Sequence, residues 1–338
     1  MRRLSRRAFI RLATLGGIGV ALAALERQTQ PIGAARYVRW AAGGEAQRLA
    51  GRPATVALGK CPTYDGASVL DCLRETWRQA KMPDVSGKRV LVKPNLIDVV
   101  EGHPVTSGPS VVGAVVVLLR ELGAAEVAVG DGPGFRREAW PVAQASGLAA
   151  VLAPLKMPLV DLNYDAPAPV PARDGWFLHD QELWLPRHVR EADLIVSVPK
   201  LKTHHWAGVS LSLKNLFGIV PGCRYGWPKN FLHTNGLALS VLGIYQAAPP
   251  VVTVVDGIVG MEGDGPLFGD PVPHGLLAVG ADPVAVDATC CRLMGISPAE
   301  VDHLMLADWA GIGQVSKIEL RGDDPASLQR QYKRPQSS

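Results

Sequence analysis

Short β-branched runs alternate with longer amphipathic stretches along most of the chain. The short runs predict buried strands, and stretches with apolar residues three or four positions apart predict helices. The predicted strands are Thr55–Lys60, Arg89–Lys93, Glu126–Val129, Leu159–Leu162, Ala192–Pro199, Pro250–Asp256, Gly275–Gly280 and Lys317–Leu320. The predicted helices are Gly66–Lys81, Pro109–Leu122, Ala139–Leu152, Pro283–Met294 and Pro298–Ala310. This alternation predicts an α/β fold with a mainly parallel sheet covered by helices on both faces.

One four-residue sequence, Gly-Asp-Gly-Pro, occurs twice, at Gly130–Pro133 and at Gly263–Pro266. Two related α/β halves would explain the repeat, and so would a chance similarity between two turns. The segment Tyr164–Arg187 is rich in Pro, aromatic and acidic residues, which indicates an excursion such as a hairpin laid against the core. The residues after Gln329 are polar, and we expect them to be frayed.

The N-terminal segment has the pattern of a twin-arginine export signal. Arg6 and Arg7 are adjacent, and a moderately hydrophobic, glycine-rich run from Leu12 to Leu25 follows them. The run is short for a permanent membrane helix, and a retained anchor is the alternative to cleavage. We expect cleavage after residue 23, with a second candidate site near residue 35. The expected partner is the twin-arginine export machinery, and the expected location is the periplasm or cell envelope.

This interpretation divides the chain into a signal at residues 1–23, a linker at 24–53, one α/β domain at 54–325 and a polar tail at 326–338. The formal charge of +4 changes when the signal is set aside, because five of the 35 basic residues lie there and no acidic residue does. The remainder carries 30 basic and 31 acidic residues. A near-neutral chain has no bulk attraction for nucleic acid, so no nucleic-acid partner is expected.

None of the five cysteines forms a C-x-x-C pair. An iron–sulfur cluster or a structural zinc site is therefore not expected. An odd number of cysteines in an exported chain leaves at least one free thiol. Cys290 and Cys291 fall in an apolar helical stretch, which indicates buried, inert thiols. A disulfide between Cys61 and Cys72 is left open by the sequence.

Polar residues gather directly after the predicted strands, where open α/β sheets bind their ligands. The segment Lys200–His205 holds two lysines and two histidines after a buried strand, and a basic loop beside an apolar helix is the alternative interpretation. Three aspartates also follow strands, where a turn or a helix cap is the alternative to a function. Asp282, just before Pro283, favours a cap.

These residues form one predicted pocket for a small anionic ligand. Lysines would neutralise the anion, a histidine would move protons near neutral pH, and carboxylates would hold a hard divalent cation. The candidate catalytic residues are His204, Lys200 and Lys214. The candidate substrate-binding residues are Lys93, Asn95, Lys202 and Asn215, and the candidate metal ligands are Asp131, Asp256 and Asp264. Because four lysines in one cleft repel each other, carboxylates or a bound anion should lie close to them.

Several of these segments, in this order, resemble the family catalogued as domain of unknown function 362. They are Val92–Asn95, Gly130–Gly132, Pro199–His204, Ser212–Asn215, Val255–Gly257, Gly263–Pro266 and Ala281–Asp287. The resemblance runs from about Val90 to Gly311. Several relatives in that family carry ferredoxin-like cysteine clusters and are described as iron–sulfur proteins, whereas this chain has no such cluster. The family is also loosely similar to the nickel-pincer lactate racemases in its use of lysine and histidine at strand ends.

Three functions follow from these observations. The first is an exported enzyme that acts on a small anionic or phosphorylated substrate, with or without a divalent metal. The second, implied by the export route and by the iron–sulfur relatives, is a redox or cofactor-binding protein. The third is a binding protein that uses the same pocket without catalysis.

Replacing Arg6 and Arg7 together by lysine should retain the precursor in the cytoplasm, because the twin-arginine pair is the recognition signal. Cell fractionation with immunoblotting measures this, and the matched control replaces Arg2 and Arg3 by lysine. Undiminished export of the Arg6 and Arg7 double variant in a strain that lacks twin-arginine translocation would contradict the assignment.

Overall fold

The computed structural model describes residues 53–134, 138–172 and 182–336. The expected signal peptide and its cleavage sites lie outside these ranges, as does the linker apart from its last residue. Within them, no helix combines the length and the apolar character needed to cross a membrane.

Twelve strands are formed by the described residues. They are β1 (Ala54–Lys60), β2 (Arg89–Pro94), β3 (Glu126–Asp131), β4 (Leu159–Asp161), β5 (Ala168–Pro171), β6 (Glu182–Leu185), β7 (Leu194–Val198), β8 (Lys200–His204), β9 (Gly208–Ser210), β10 (Val251–Glu262), β11 (Asp270–Gly280) and β12 (Ile318–Gly322). The strands β5 and β6 pair with each other, so the excursion at 164–187 does contain an antiparallel pair.

Twelve α-helices connect and cover the strands of the described ranges. They are α1 (Gly66–Gln79), α2 (Pro109–Glu121), α3 (Ala139–Ala145), α4 (Leu148–Leu152), α5 (Arg187–Glu191), α6 (Ser212–Asn215), α7 (Gly222–Tyr225), α8 (Asn230–Thr234), α9 (Leu237–Ala247), α10 (Pro283–Leu293), α11 (Asp302–Ala310) and α12 (Pro325–Leu328). The 3₁₀ turns Leu216–Ile219 and Pro298–Glu300 complete the set.

The fold is α/β with a mostly parallel central sheet, as the sequence predicts. The strand order is β12-β1-β11-β10-β7-β2-β3-β4, and only β11 on this path runs antiparallel to its neighbours. Two cores lie on opposite faces of the sheet. Leu91 of β2 packs into the core beneath α9 and α10, while its neighbours Val90 and Val92 pack into the core beneath α1 and α2. Successive side chains of a strand point to opposite faces of the sheet, so neighbouring residues of β2 pack into different cores.

The direction in which successive strands are added to the sheet reverses beside β2. The strands β2, β3 and β4 proceed toward one edge, whereas β7 pairs with the other side of β2 and β10 continues away from it. In open α/β sheets such a reversal opens a crevice at the carboxyl ends of the strands, where ligands bind.

The structure differs from the sequence prediction in three strand and helix boundaries. The helix predicted for 139–152 is split by Gly147, which has a φ of 82°. The strand predicted to end at Asp256 continues to Glu262 through a bulge. The segment Lys200–His204, expected only to follow a strand, is itself strand β8, because the chain passes Pro199 and then pairs with the extended part of β10.

The two Gly-Asp-Gly-Pro copies have different structural contexts. The copy that begins at Gly130 ends the parallel strand β3, whereas the copy at Gly263–Pro266 connects the antiparallel strands β10 and β11. The shared residues therefore give no structural support to two related halves.

The expectation of a frayed C-terminal tail is wrong for the residues that the structure describes. The Tyr332 side chain is buried, and its hydroxyl donates to Nδ1 of His274 at 2.9 Å. The other ring nitrogen of His274 donates to the carbonyl of Leu328 at 2.7 Å. The backbone N–H of Tyr332 donates to Met294 at 3.0 Å, so the segment is held by both backbone and side chain.

Replacing Tyr332 by phenylalanine should destabilise the protein by about 1–3 kcal/mol, because it leaves Nδ1 of the buried His274 without a donor. Replacing Tyr332 by alanine should cost about 3–5 kcal/mol through the cavity it creates. Urea denaturation measures both, with the exposed Gln329→Ala as the control. Equal stability of all three variants would show that the segment is not docked in solution.

Candidate functional site

The centre of the candidate site is a buried ion pair between neighbouring strands. Lys93 near the end of β2 places Nζ 2.7 Å from Oδ1 of Asp131, the last residue of β3. The same Nζ donates to Oδ1 of Asn215 at 2.9 Å and to the carbonyl of Pro94 at 2.6 Å. Burial lowers the pKa of Lys93, and the Asp131 carboxylate opposes that shift. With three acceptors for three N–H groups, Lys93 has no donor left for a ligand.

Asn215, at the end of α6, links the ion pair to the rest of the sheet. Its Oδ1 also accepts from Nδ2 of Asn95 at 3.1 Å. Its Nδ2 donates to the carbonyl of Lys93 at 3.2 Å and to Oγ of Ser197 on β7 at 3.0 Å. The orientation of the Asn215 amide is therefore fixed by its partners. Oδ1 of Asn95 is buried and has no hydrogen-bond partner among the described residues.

The remaining lone pairs of Asp131 accept from the backbone. Oδ1 accepts from the N–H of Gly132 at 2.8 Å, and Oδ2 accepts from the N–H of Leu96 at 2.7 Å. The backbone of Gly218 approaches the ion pair so closely that a Cβ there would overlap Oδ1 of Asp131 and Nζ of Lys93. Glycine at 218 is required by this contact.

The short helix α6 is held at its N-terminus by Asp287 of α10. The two carboxylate oxygens accept from the N–H of Ser212 at 2.8 Å and from that of Leu213 at 2.9 Å. Burial raises the pKa of the Asp287 carboxyl, and these two donors oppose the rise. A carboxylate at a helix N-terminus satisfies free N–H groups and complements the helix dipole. Asp287 thereby fixes the position of Lys214 and Asn215.

A cavity of about 170 Å³ opens beside this network. Its wall combines the ends of β2, β3 and β8 with α6, the 3₁₀ turn after it and α8. The polar and aromatic residues that line it are Lys93, Asn95, Asp131, His204, His205, Trp206, Ser210, Lys214, Asn215, Phe217, Lys229 and His233. An apolar cavity of about 150 Å³ holds benzene, so the enclosed space takes a ligand of roughly six non-hydrogen atoms.

Lys214 lines the cavity with a partly exposed side chain. Its Nζ lies 3.7 Å from the centroid of the Phe217 ring. Within the described part of the chain, Nζ has no hydrogen-bond acceptor. Burial, and then the charge of Lys93, lower the pKa of Lys214 to about 7. Near neutral pH a substantial fraction of this amine is therefore uncharged.

Lys229 lies across the cavity wall and is tethered by backbone carbonyls. Its Nζ donates to Gly132 at 2.8 Å and to Phe217 at 2.9 Å. Burial lowers the pKa of Lys229 to about 7, and Asp131 opposes that shift. In the ammonium form, the third N–H of Nζ remains available to donate to a ligand.

His204, at the end of β8, is held in one tautomer. Its Nδ1 accepts from the N–H of Trp206 at 3.1 Å and from that of Ala207 at 3.3 Å, so the ring proton lies on Nε2. Burial, and then the charge of Lys214, lower the pKa of His204 well below its ordinary value. The ring is neutral at physiological pH and offers an N–H donor to the cavity. Trp206, which is 66% exposed, forms the mouth of the cavity with His205 and His233.

Six of the ten residues predicted for the pocket line the cavity. They are Lys93, Asn95, Asp131, His204, Lys214 and Asn215. Two of the four predicted lysines have a carboxylate within an ion-pair distance, Lys93 as described above and Lys200, which lies 2.7 Å from Asp256.

The other four predicted residues do not line the cavity. Lys200 and Asp256 form their ion pair in a separate buried cluster, in which Lys200 also donates to the hydroxyl of Tyr64 at 2.7 Å. Lys202 is buried, and its Nζ donates to the carbonyl of Val105 at 2.8 Å. Asp264 is exposed and accepts from the N–H of Gln336 at 2.8 Å.

The expected metal site of three aspartates is not assembled. Asp131 lies in the cavity wall, Asp256 in the separate cluster and Asp264 at the surface. Across 53–134, 138–172 and 182–336, no three potential His, Cys, Asp or Glu ligands converge. Asp131 ends β3, whereas Asp256 lies in the interior of β10 and Asp264 lies in the turn between β10 and β11.

Sequence reasoning missed Lys229, His233 and Phe217. None of these follows a strand directly, so a search at strand ends cannot find them. Lys229 follows Trp227-Pro228 with a φ of 67°, and the local sequence carries no signal that its amine is buried.

The chain is similar in sequence to known proteins. A family model described as domain of unknown function (DUF362) matches residues 90–292. The thylakoid-associated protein sll1697 of Synechocystis is 30% identical over 268 residues, which cover 76% of this chain and 80% of that protein.

Solved structures give a weaker similarity. The lactate racemase apoprotein of Thermoanaerobacterium thermosaccharolyticum aligns with a TM-score of 0.45 and 15% identity, over 72% of this chain and 57% of that one. A Thermotoga maritima protein from a structural genomics consortium aligns with a TM-score of 0.38 and 13% identity, over 70% of this chain and 60% of that one. The chain thus spans less than two thirds of either solved structure.

Gly218→Ala should destabilise the protein by about 1–3 kcal/mol or more, because the added methyl group displaces the Lys93–Asp131 pair. The matched control is Gly66→Ala, since a Cβ at that helix position meets open space. Urea denaturation of both variants measures the difference. A Gly218→Ala protein as stable as the control would contradict the close approach.

Proposed function

The chain belongs to the family named domain of unknown function 362, and we propose that it is an enzyme that binds a small organic anion in this cavity and transfers a proton to or from it. His204 donates a hydrogen bond to an oxygen of the substrate. Lys214 accepts or returns the proton.

One observation carries the proposal: the amine of Lys214 faces the cavity without an acceptor, beside the neutral ring of His204. The buried lysines Lys93 and Lys202, by contrast, donate to acceptors of the protein. The Lys214 side chain is partly exposed, and the part of it that is withdrawn from water gains no hydrogen bond from the described residues in return. A ligand that supplies the missing interaction accounts for this arrangement.

The charges around the cavity favour an anion. Among the described lining residues the only carboxylate is that of Asp131, and Lys93 neutralises it. Lys214 and Lys229, whose pKa values of about 7 leave each amine partly protonated at neutral pH, can supply positive charge and N–H groups to a ligand. An incoming anion raises the pKa of both amines, so binding and protonation favour each other.

The surroundings of His204 and Lys214 suit these two side chains to different steps of the proposed reaction. The proton on Nε2 of His204 is held there by two backbone donors to Nδ1, so the ring stabilises negative charge that develops on a substrate oxygen. Lys214, with a pKa of about 7, is close to the optimum for a proton-transfer group at neutral pH. Two titratable groups with their pKa values displaced in one site are a frequent property of acid–base catalysts.

We place this activity outside the cytoplasm as part of the proposal. The twin-arginine pattern at Ser5–Arg11 supports it. The Synechocystis relative is named as thylakoid-associated, which is compatible with an extracytoplasmic protein.

Isothermal titration with pyruvate, lactate and inorganic phosphate tests the binding step. We expect at least one of these anions to bind wild type, and Lys214→Met to weaken that binding about tenfold or more. The exposed Lys60→Met serves as the control. Because Lys214 loses its charge as the pH rises through about 7, affinity should fall between pH 6 and pH 8. Exchange of the pyruvate methyl protons in D₂O, followed by NMR, should fall about 10²-fold in His204→Ala.

Two outcomes would contradict the proposal. One is the absence of binding by all three anions at millimolar concentration. The other is binding that Lys214→Met and Lys60→Met affect equally.

A further inference from the structure

We propose that Lys214 is a nucleophile that forms a Schiff base with the carbonyl carbon of a small 2-oxo acid. The inference rests on the proposed function, since it uses the same cavity, and it names the substrate class and the bond that forms. It follows from the surroundings of the amine.

The nitrogen of Lys214 is free to attack. It lies against the face of Phe217, and none of the described residues accepts a hydrogen bond from it. A lysine acts as a nucleophile only when its amine is neutral, and an apolar surrounding or a neighbouring cation brings this about. Both causes act here, because burial and the charge of Lys93 lower the pKa of Lys214 to about 7.

Lys229 serves as an internal comparison. It shares the cavity and the low pKa, but two backbone carbonyls hold its N–H groups. These acceptors favour the charged form and restrain the nitrogen. Lys229 is thus suited to bind the carboxylate of the substrate, and Lys214 is suited to attack the carbonyl carbon.

The rest of the cavity fits the intermediates of this reaction. The Nε2–H of His204 donates to the carbonyl oxygen as negative charge develops on it. Oδ1 of Asn95 is a buried acceptor without a donor, and the hydroxyl of a carbinolamine supplies one. The face of Phe217, 3.7 Å from Nζ, stabilises the positive charge of the protonated Schiff base.

The step balances in atoms and charge. The lone pair of the neutral amine forms a C–N bond, the carbonyl π pair moves to oxygen, and a proton passes from nitrogen to that oxygen to give a carbinolamine. The C–O bond then breaks as the nitrogen lone pair forms the C=N bond, and the departing hydroxide takes a proton to become water. Counted from the ammonium form of Lys214, the products are the protonated Schiff base and one water molecule. No oxidant or reductant takes part.

The substrate class follows from size and charge together. The enclosed volume of about 170 Å³ takes roughly six non-hydrogen atoms, the size of pyruvate. The carboxylate pairs with Lys229, and the adjacent carbonyl carbon faces Lys214. An electron-withdrawing iminium next to a carboxylate increases the acidity of the C3 protons, and in this covalent form the nitrogen of Lys214 is the electron sink rather than the proton acceptor.

Reductive trapping tests the proposal. Wild-type protein is incubated with pyruvate and sodium borohydride, and the intact mass and the modified peptide are determined by mass spectrometry. We expect one reduced adduct, located at Lys214, and at least a tenfold lower yield in Lys214→Met than in Lys60→Met. Trapping should increase through about pH 7, where an ordinary lysine would require pH near 10. Lactate, which has no carbonyl group, should compete without forming an adduct.

The outcomes separate the two proposals. Binding of pyruvate and lactate that depends on Lys214, without an adduct, overturns the Schiff base and leaves the acid–base function intact. Failure of both anions to bind overturns both. An adduct located at Lys229 or spread over surface lysines overturns the assignment to Lys214. If Lys214→Met does not fold, as judged by circular dichroism, the peptide map of the wild-type adduct decides the question.

Discussion

The ion pair between Lys93 and Asp131 is the interaction on which the rest of the site depends. Both charges are removed from water, and every N–H of the lysine has an acceptor. Breaking a buried pair by removing one partner costs about 3–5 kcal/mol, because the other charge is left uncompensated. The pair joins β2 to β3, and its Asp131 carboxylate accepts a hydrogen bond from the backbone N–H of Leu96. It also leaves no room for a side chain at position 218. Through Asn215 it also fixes α6, and with it the amine of Lys214.

Lysines near the carboxyl ends of these strands share one chemistry but differ in their partners. Lys93 and Lys200 have carboxylates, Lys202 has backbone carbonyls, and Lys214 has an aromatic face. The first three are held as structural cations or donors. In the proposed reaction the difference between these lysines and Lys214 therefore lies in their hydrogen-bond acceptors.

Much of the fold could be predicted from the sequence, since buried parallel strands are continuous β-branched runs and most connecting helices have a clear apolar face. The position of the site at the strand ends was also predictable, because Asn95, Asp131 and His204 follow or end strands. The depth at which each side chain is buried could not be predicted from the sequence. All five residues of β8 are buried, Lys202 among them, and Lys229 reaches the cavity from a turn that no strand directly precedes. Such placements depend on how distant segments pack, which the local pattern does not contain.

The C-terminal segment sets an order for the completion of the site during synthesis. The backbone of Lys333 holds the chain where β10 ends and the turn to β11 begins: its carbonyl accepts from the N–H of Gly263 at 3.0 Å, and its N–H donates to the Glu262 carboxylate at 2.9 Å. Pro266 of that turn lines the cavity. The floor of the cavity, built by β2 and β3, is translated some two hundred residues earlier than the segment that secures this part of its wall. The contacts that hold this turn can therefore form only after residues 328–336 have left the ribosome.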